Sequence, residues 1–309
     1  MNIDKDFTFQ TLKLTPDYDG EVTATLISSN RNLGNHKSIL YLHGYNDYFF
    51  HAHVAEKFNE NNFDFYALDL RKYGRSLLRN QHPNYCKDIE EYFEEISIAI
   101  GNIDTISKSS IYLLGHSTGG LIASSYMNTG SERNRISALI LNSPFLDFYQ
   151  SALEKFFSYW GSKIISTIAP FAKIDGALPH VYTQSINKDF YGEWGYNLNW
   201  KPKKGFPTFF KWVVAISIAQ KKLAYSKIKV PILVMHSSHS SKKINIFSKE
   251  AMIKDTVLNI EDIKRMGVQL GDEVTLLEID NAMHDIFLSQ KAVRDDAFDK
   301  MFSWMLKIQ

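Results

Sequence analysis

A single cysteine, Cys86, occurs in 309 residues, so no disulfide can form within the chain and a disulfide-stapled scaffold is excluded. No run of 18 or more apolar residues occurs, and no membrane-spanning helix is expected. An excess of either charge is missing too: 35 Lys and Arg face 34 Asp and Glu, for a formal net charge of +1. That balance offers no electrostatic footprint for nucleic acid or for an anionic membrane. Metal signatures are equally scarce. His51-Ala52-His53 and the pair His236 and His239 lie in no HExxH motif and beside no cysteine pair, so neither a metal site nor a cofactor is expected. Gly115 to Gly120 lacks the Lys-Ser/Thr that completes a phosphate loop. The opening residues, Met1-Asn2-Ile3-Asp4-Lys5-Asp6, have no apolar centre of a secretion signal. With the lone cysteine, this makes the cytoplasm the expected compartment. Cys86 sits in no nucleophile signature and is expected to be structural.

What is present is an ordinary globular composition, 44% hydrophobic and 22% charged, with aromatics at 14%. Phe7 to Leu14 and Glu21 to Ser28 alternate as paired strands around the turn Asp17-Tyr18-Asp19-Gly20. Short apolar runs at 38–42, 63–68, 111–114, 136–141, 230–235 and 274–279 read as strands. Stretches with helical spacing at 53–61, 88–106, 121–127 and 292–308 alternate with most of them. This rhythm predicts an α/β fold with a mostly parallel central sheet flanked by helices, whose ligands bind beyond the carboxyl ends of the strands. Residues 145–223 break the rhythm with far more chain than one crossover needs. They are crowded with aromatics, among them Phe156, Phe157, Trp160, Phe171, Tyr191, Trp194, Trp200, Phe209 and Trp212. We read this segment as an inserted, mostly helical cap on a core formed by 1–144 and 224–309. Most of its aromatics are expected to fill the cap's own core, and a few to line an apolar pocket.

Gly115-His116-Ser117-Thr118-Gly119 joins a predicted strand to a predicted helix. A serine on so sharp a turn presents its hydroxyl, and side chains at the flanking glycines would crowd the elbow. A serine hydroxyl needs a base to take its proton, an acid to orient that base, and preplaced donors for the oxyanion. His284 follows the last predicted strand and is the candidate base. His116 is expected to point away, and His43 to shape the oxyanion loop. The backbone N–H groups of Thr118 and of Tyr45, the latter in Leu42-His43-Gly44-Tyr45, are the candidate oxyanion donors.

From about Ser38 onward the chain resembles α/β-hydrolases of the monoacylglycerol lipase and lysophospholipase group, also called serine aminopeptidase-like hydrolases. The resemblance rests on the His43-Gly44 loop, Asp69-Leu70-Arg71-Lys72-Tyr73-Gly74-Arg75-Ser76, the Ser117 elbow, Asn142-Ser143-Pro144 and Met283-His284-Asp285. Lys72 stands where the group's D-x-R-G-x-G-x-S has its first glycine, and the resemblance implies structural roles for Asp69 and Arg71. It also places the acid after the strand at 230–235. There His236 to Ser241 holds no carboxylate and an insertion, Lys242 to Lys254, follows. Asp255-Thr256-Val257-Leu258 then resembles the group's acid and the apolar pair behind it, so Asp255 is the expected acid, with Asp262, Glu250 and Asp280 as rivals. The order Ser117, Asp255, His284 is the one this fold uses. Dehalogenase and epoxide hydrolase branches carry an acid at the elbow, which Ser117 argues against. The resemblance implies an acyl-enzyme hydrolase of carboxylic esters, its partner a small ester with an apolar acyl part. Two other readings stay open: a peptidase using Asp189 or Glu193 to hold a substrate ammonium, and a non-catalytic binder.

Overall fold

The computed structural model describes residues 3–107, 110–175, 180–241 and 246–308. Met1, Asn2 and the part of the predicted insertion from Lys242 to Asn245 lie outside the described residues, as do 176–179 of the predicted cap. The strands are β1 (Phe7–Lys13), β2 (Thr23–Ser29), β3 (Lys37–Leu42), β4 (Asp64–Asp69), β5 (Ser110–His116), β6 (Ile136–Asn142), β7 (Lys173–Ile174), β8 (Thr208–Phe209), β9 (Ile232–Ser237) and β10 (Val274–Ile279). The helices are α1 (Ile3–Asp6), α2 (Ala52–Glu60), α3 (Phe93–Ser107), α4 (Thr118–Thr129), α5 (Ala152–Ile168), α6 (His180–Ile186), α7 (Phe210–Leu223), α8 (Ile260–Gly267) and α9 (Lys291–Lys307).

Eight strands form one sheet in the order β1-β2-β4-β3-β5-β6-β9-β10. β2 runs antiparallel to both neighbours, and every other pair is parallel. The period of two along each strand divides the core between two faces. Leu40, Leu42, Leu113, Leu139, Leu141 and Val234 pack with residues of α3, α4 and α7. Ile39, Tyr41, Leu114, Ile140, Leu233 and Met235 pack on the other side with α2 and α9. Because both faces are covered, the central strands read as continuous apolar runs rather than alternating ones.

The boundaries follow local chemistry. The helical stretch expected from Asp88 begins as a 3-10 turn, Ile89–Tyr92, because Asp88 and Glu91 close a reciprocal capping box there. The strand expected from Val230 starts at Ile232, after Pro231, which has no N–H for a ladder. α8 has no counterpart in the sequence reading. Its charged residues, Glu261, Asp262, Lys264 and Arg265, mask an apolar stripe of Ile260, Ile263 and Met266.

Residues 145–223 enter between β6 and β9 and carry α5, the two-stranded ribbon β7–β8, α6 and α7. The expectation that most of their aromatics fill a core of their own is not met. Of the aromatics named above, Phe156, Phe157, Trp160, Phe171 and Tyr191 are exposed, Phe209 and Trp212 are buried, and Trp194 and Trp200 are half-buried against a cluster that includes Tyr48 and Phe50 of the core. α5 packs on α7, which in turn packs on α4, so among the described residues one face of α5 has no further layer over it and its rings there stay in solvent.

Lys72, the departure from the group's glycine, adopts φ +63°, the left-handed region that a glycine enters without strain. Its ammonium is fully buried, 2.8 Å from Asp17 and 2.9 Å from Asp19 of the β1–β2 turn, and 3.9 Å from the Tyr18 ring centroid. The left-handed conformation costs a non-glycine residue about 1–2 kcal/mol, whereas leaving buried carboxylates without their cation costs about 3–5 kcal/mol. Lys72→Gly is therefore expected to destabilise the protein by roughly 2 kcal/mol, read as a lower denaturation midpoint. A midpoint equal to or above that of the parent would show that backbone strain outweighs the ion pair.

Candidate active site

β5 ends at His116 and α4 starts at Thr118, so the whole turn is Ser117, held at φ +51° and ψ −118°. The glycines permit close approach. A Cβ on Gly115 would meet the Gly119 carbonyl oxygen at 2.5 Å, and one on Gly119 would meet those of Leu42 and His43 at 2.4 Å. Gly44 lets the loop after β3 lie against the elbow, its would-be Cβ 3.1 Å from Ser117 Cβ. Tyr45 and Thr118, the candidate oxyanion residues, line the same cavity as Ser117. As the first residue of α4, Thr118 also has an N–H with no intrahelical acceptor.

The structure brings three of the expected residues into one line. Ser117 Oγ lies 3.0 Å from His284 Nε2, and His284 Nδ1 lies 2.9 Å from Asp255 Oδ2. All three are buried. Asp255 is aimed by its other oxygen, which accepts the backbone N–H groups of Val257 and Leu258, both at 2.8 Å. With Asp255 accepting at Nδ1, the neutral imidazole carries its proton there and leaves Nε2 free to accept from Ser117. The rivals lie elsewhere. Asp262 pairs with Arg265 at 2.7 Å, Glu250 with Lys254 at 3.1 Å, and Asp280 is exposed.

His43 Nε2 accepts the Leu70 N–H at 3.1 Å and its Nδ1 reaches the Gly44 carbonyl at 2.8 Å, fixing the loop that carries Tyr45. Asp69 accepts the Phe49 N–H at 2.8 Å and pairs with Arg75 at 2.8 Å, while Arg71 is bidentate on Glu95. Both are tied into the scaffold and line no part of the Ser117 cavity. The His116 ring turns away from the cavity, its Nδ1 3.1 Å from the Asn142 carbonyl.

Behind the line lies a buried polar group that the sequence reading left unassigned. Asp285 accepts from Asn142 Nδ2 at 2.8 Å and faces His51 Nε2 at 2.9 Å and His116 Nε2 at 3.7 Å. Its place directly after the candidate base and the Asn142-Ser143-Pro144 strand end were the available signals. Burial acts to raise the Asp285 carboxyl, but His116, His51 and Asn142 outweigh it and hold it well below the usual range. Asp47, His116 and Asp285 are the grouping among the described residues that could offer three metal-ligand atoms. Asp47 already pairs with Lys201 at 2.7 Å, and Asp285 already bonds to Asn142 and His51.

Burial pushes His53 down to about 3 and His116 down to about 4. An unfolded chain takes up protons on these imidazoles near 6.5. Between about 6.5 and 4 the unfolded state thus binds more protons, so stability is expected to fall as the pH drops through that window. The loss should be on the order of a few kcal/mol. Chemical denaturation at two pH values spanning the window measures it, and equal unfolding free energies would contradict it.

The cavity beside Ser117 has a volume of about 330 Å³ and is walled by Phe145, Phe148, Ile174, Trp212, Val213 and Val257, among others. A larger groove of about 780 Å³ lies at the opposite, amino ends of the strands, near Ile136 and Val230, away from Ser117. An eight-stranded, mostly parallel sheet with a serine elbow, and a histidine and an aspartate brought to it from later loops, defines an α/β-hydrolase. More narrowly, the chain belongs to the serine aminopeptidase, S33, family, which it matches over residues 34–290. It is 30% identical over 144 residues to phospholipase YtpA of Bacillus subtilis (strain 168), a match covering 45% of this chain and 52% of that protein. The chain thus spans about half the length of that relative.

Among solved structures it is similar to a soluble variant of monoglyceride lipase from Saccharomyces cerevisiae, with a TM-score of 0.72, 17% identity and 98% and 97% of the two chains covered. A monoacylglycerol lipase from Paleococcus ferrophilus gives 0.67 at 18% identity, covering 98% and 100%. A carboxyl esterase from Bacillus coagulans gives 0.68 at 16%, covering 97% and 99%. At such identities the likeness establishes the fold. Among the described residues no helix is long and apolar enough to cross a membrane.

Proposed function

We propose that this protein is a serine carboxylesterase that cleaves small esters with an apolar acyl part through an acyl-enzyme. The observation that carries the reading is the hydrogen-bonded line from Ser117 Oγ through His284 to Asp255. His284 Nε2 takes the Ser117 proton as Oγ attacks the ester carbonyl carbon, and the carbonyl electrons move onto oxygen. The N–H groups of Thr118 and Tyr45 receive that oxyanion, one such donor being worth about 3–4 kcal/mol. The tetrahedral intermediate collapses, His284 protonates the departing alcohol, and the acyl group stays on Ser117. Water then repeats the sequence, releasing the acid and returning the proton to Ser117.

Residues 145–223 act in this reading as a cap on a core of 1–144 and 224–309. They contribute Phe145, Phe148, Ile174 and Trp212 to the wall around the acyl group. They are also stitched to the loop after β3: Lys201 binds Asp47 at 2.7 Å, and Phe206 N–H donates to Asn46 at 2.7 Å. The cap and the oxyanion loop therefore hold one another in place.

Esters are favoured over aminoacyl peptides because, among the described residues, the cavity wall contains no carboxylate. Asp189 and Glu193 are exposed and pair with Lys203 at 3.4 Å and Arg294 at 3.0 Å, so neither is free to hold a substrate ammonium. Parallel assays with p-nitrophenyl esters of graded acyl length and with aminoacyl-naphthylamides test this. Ester turnover is expected, and turnover of the amides alone would overturn the reading. Only the neutral His284 ring can accept from Ser117.

A further inference from the structure

The candidate base reaches the nucleophile across two strands. β5, which leads into Ser117, is separated from β10, which leads into His284, by β6 and β9. No ladder bond between β5 and β10 can set the distance between the two side chains, so the loop bearing His284 must be held by groups at the ends of the intervening strands. β9 supplies Ser237, whose hydroxyl donates to the Ala282 carbonyl at 2.7 Å. β6 supplies Asn142, which is wholly buried. The Asn142 carbonyl accepts the Ser117 N–H at 3.0 Å. Its side-chain Nδ2 donates to Asp285 Oδ1 at 2.8 Å, and its Oδ1 accepts the Ile286 N–H at 3.2 Å. Asp285, equally buried, also accepts the Phe287 N–H at 3.1 Å and is steadied from the far side by His51. One residue thus bonds to the backbone of the nucleophile and to both residues that follow the base.

We propose that Asn142 and Asp285 form a cross-brace that sets the separation of Ser117 and His284, an inference that rests on the esterase reading above. Both are positioning residues, since neither lines the cavity. A hydrogen bond to an ionised carboxylate in a buried setting is among the stronger ones available. Ser117 sits at a positive φ, a conformation that persists only where its surroundings over-determine it. The anchor of its N–H on Asn142 is one such constraint, and the brace carries that constraint through to the base.

The test combines kcat and KM on an ester with the rate at which a fluorophosphonate labels Ser117, for the full-length chain. Asn142→Ala and Asp285→Ala break the same bond from its two ends. Each is expected to lower kcat and the labelling rate about 10- to 100-fold, as a misplacement near 1 Å can, with KM changed by less than about twofold. Asp285→Asn keeps an oxygen for Asn142 and Phe287 and is expected to recover most of the loss. The double variant Asn142→Ala with Asp285→Ala should lose clearly less than the product of the two single losses, because the bond between them can be lost only once.

Multiplicative losses in the double variant, a rise in KM with kcat unchanged, or no recovery in Asp285→Asn would each overturn the brace. Should Asp285→Ala not fold, Asn142→Ala set against Asp285→Asn makes the same comparison. Labelling reads the Ser117–His284 pair without reference to substrate. A wild type that labels but spares esters therefore counts against the esterase reading alone, and unslowed labelling of Asn142→Ala counts against the brace alone.

Discussion

Ser117→Ala is expected to reduce ester turnover about 10⁶-fold, the scale on which removing the nucleophile acts in serine hydrolases, and to abolish fluorophosphonate labelling. The fold should survive. The substitution removes one hydroxyl, and the elbow geometry is dictated by backbone packing of Gly115, Gly119 and Gly44 rather than by the serine side chain. The residual rate reflects the oxyanion donors and substrate binding, which the substitution leaves in place. Retention of even a tenth of the wild-type rate by a folded variant would remove Ser117 from the mechanism and the esterase reading with it.

The second large effect concerns the acid. Asp255→Asn preserves the shape of the site and an oxygen to accept the N–H groups of Val257 and Leu258, which now hold Oδ1. What changes is the partner of His284 Nδ1. An amide nitrogen there donates instead of accepting, so the imidazole proton moves to Nε2, the atom that must receive the proton of Ser117. A loss of about 10⁴ in kcat is expected, comparable to the same change in other triads. Alanine at Asp262, Glu250 or Asp280 should leave the rate within about twofold, because the first two pair with Arg265 and Lys254, Asp280 is exposed, and His284 Nδ1 is taken by Asp255. Wild-type turnover in Asp255→Asn, or a collapse in one of the other three, would reassign the acid.

The serine elbow was legible because it needs consecutive residues: an apolar strand, two glycines that admit close backbone approach, and a helix start, all within about fifteen positions. His284 was legible by its place just past the last strand. Asp255 was harder, since the stretch after β9 that should hold the acid contains no carboxylate and an insertion displaces it. What selects it is spatial: two backbone N–H groups aim one oxygen, and His284 takes the other. The cap illustrates the opposite failure. Its aromatic content suggested a small core of its own, yet α5 leaves Phe156, Phe157 and Trp160 in solvent, because it packs on α7 by its opposite face and nothing covers the outer one among the described residues. Lys72 shows how a local departure is explained only at a distance, by two aspartates more than fifty positions earlier that take its ammonium.

By itself, the amino-acid order determined the class of fold, the two-faced core, and which residues are the candidate nucleophile and base. Each of these depends on periodicity or on neighbours along the chain. Only the tertiary structure decided which aspartate lies within hydrogen-bonding reach of that candidate base, which groups bond to Asp285 behind it, and how Asn142 links two loops that the sheet order keeps two strands apart. Those outcomes rest on distances between residues far separated in sequence, and such distances are set by how strands order themselves in the sheet.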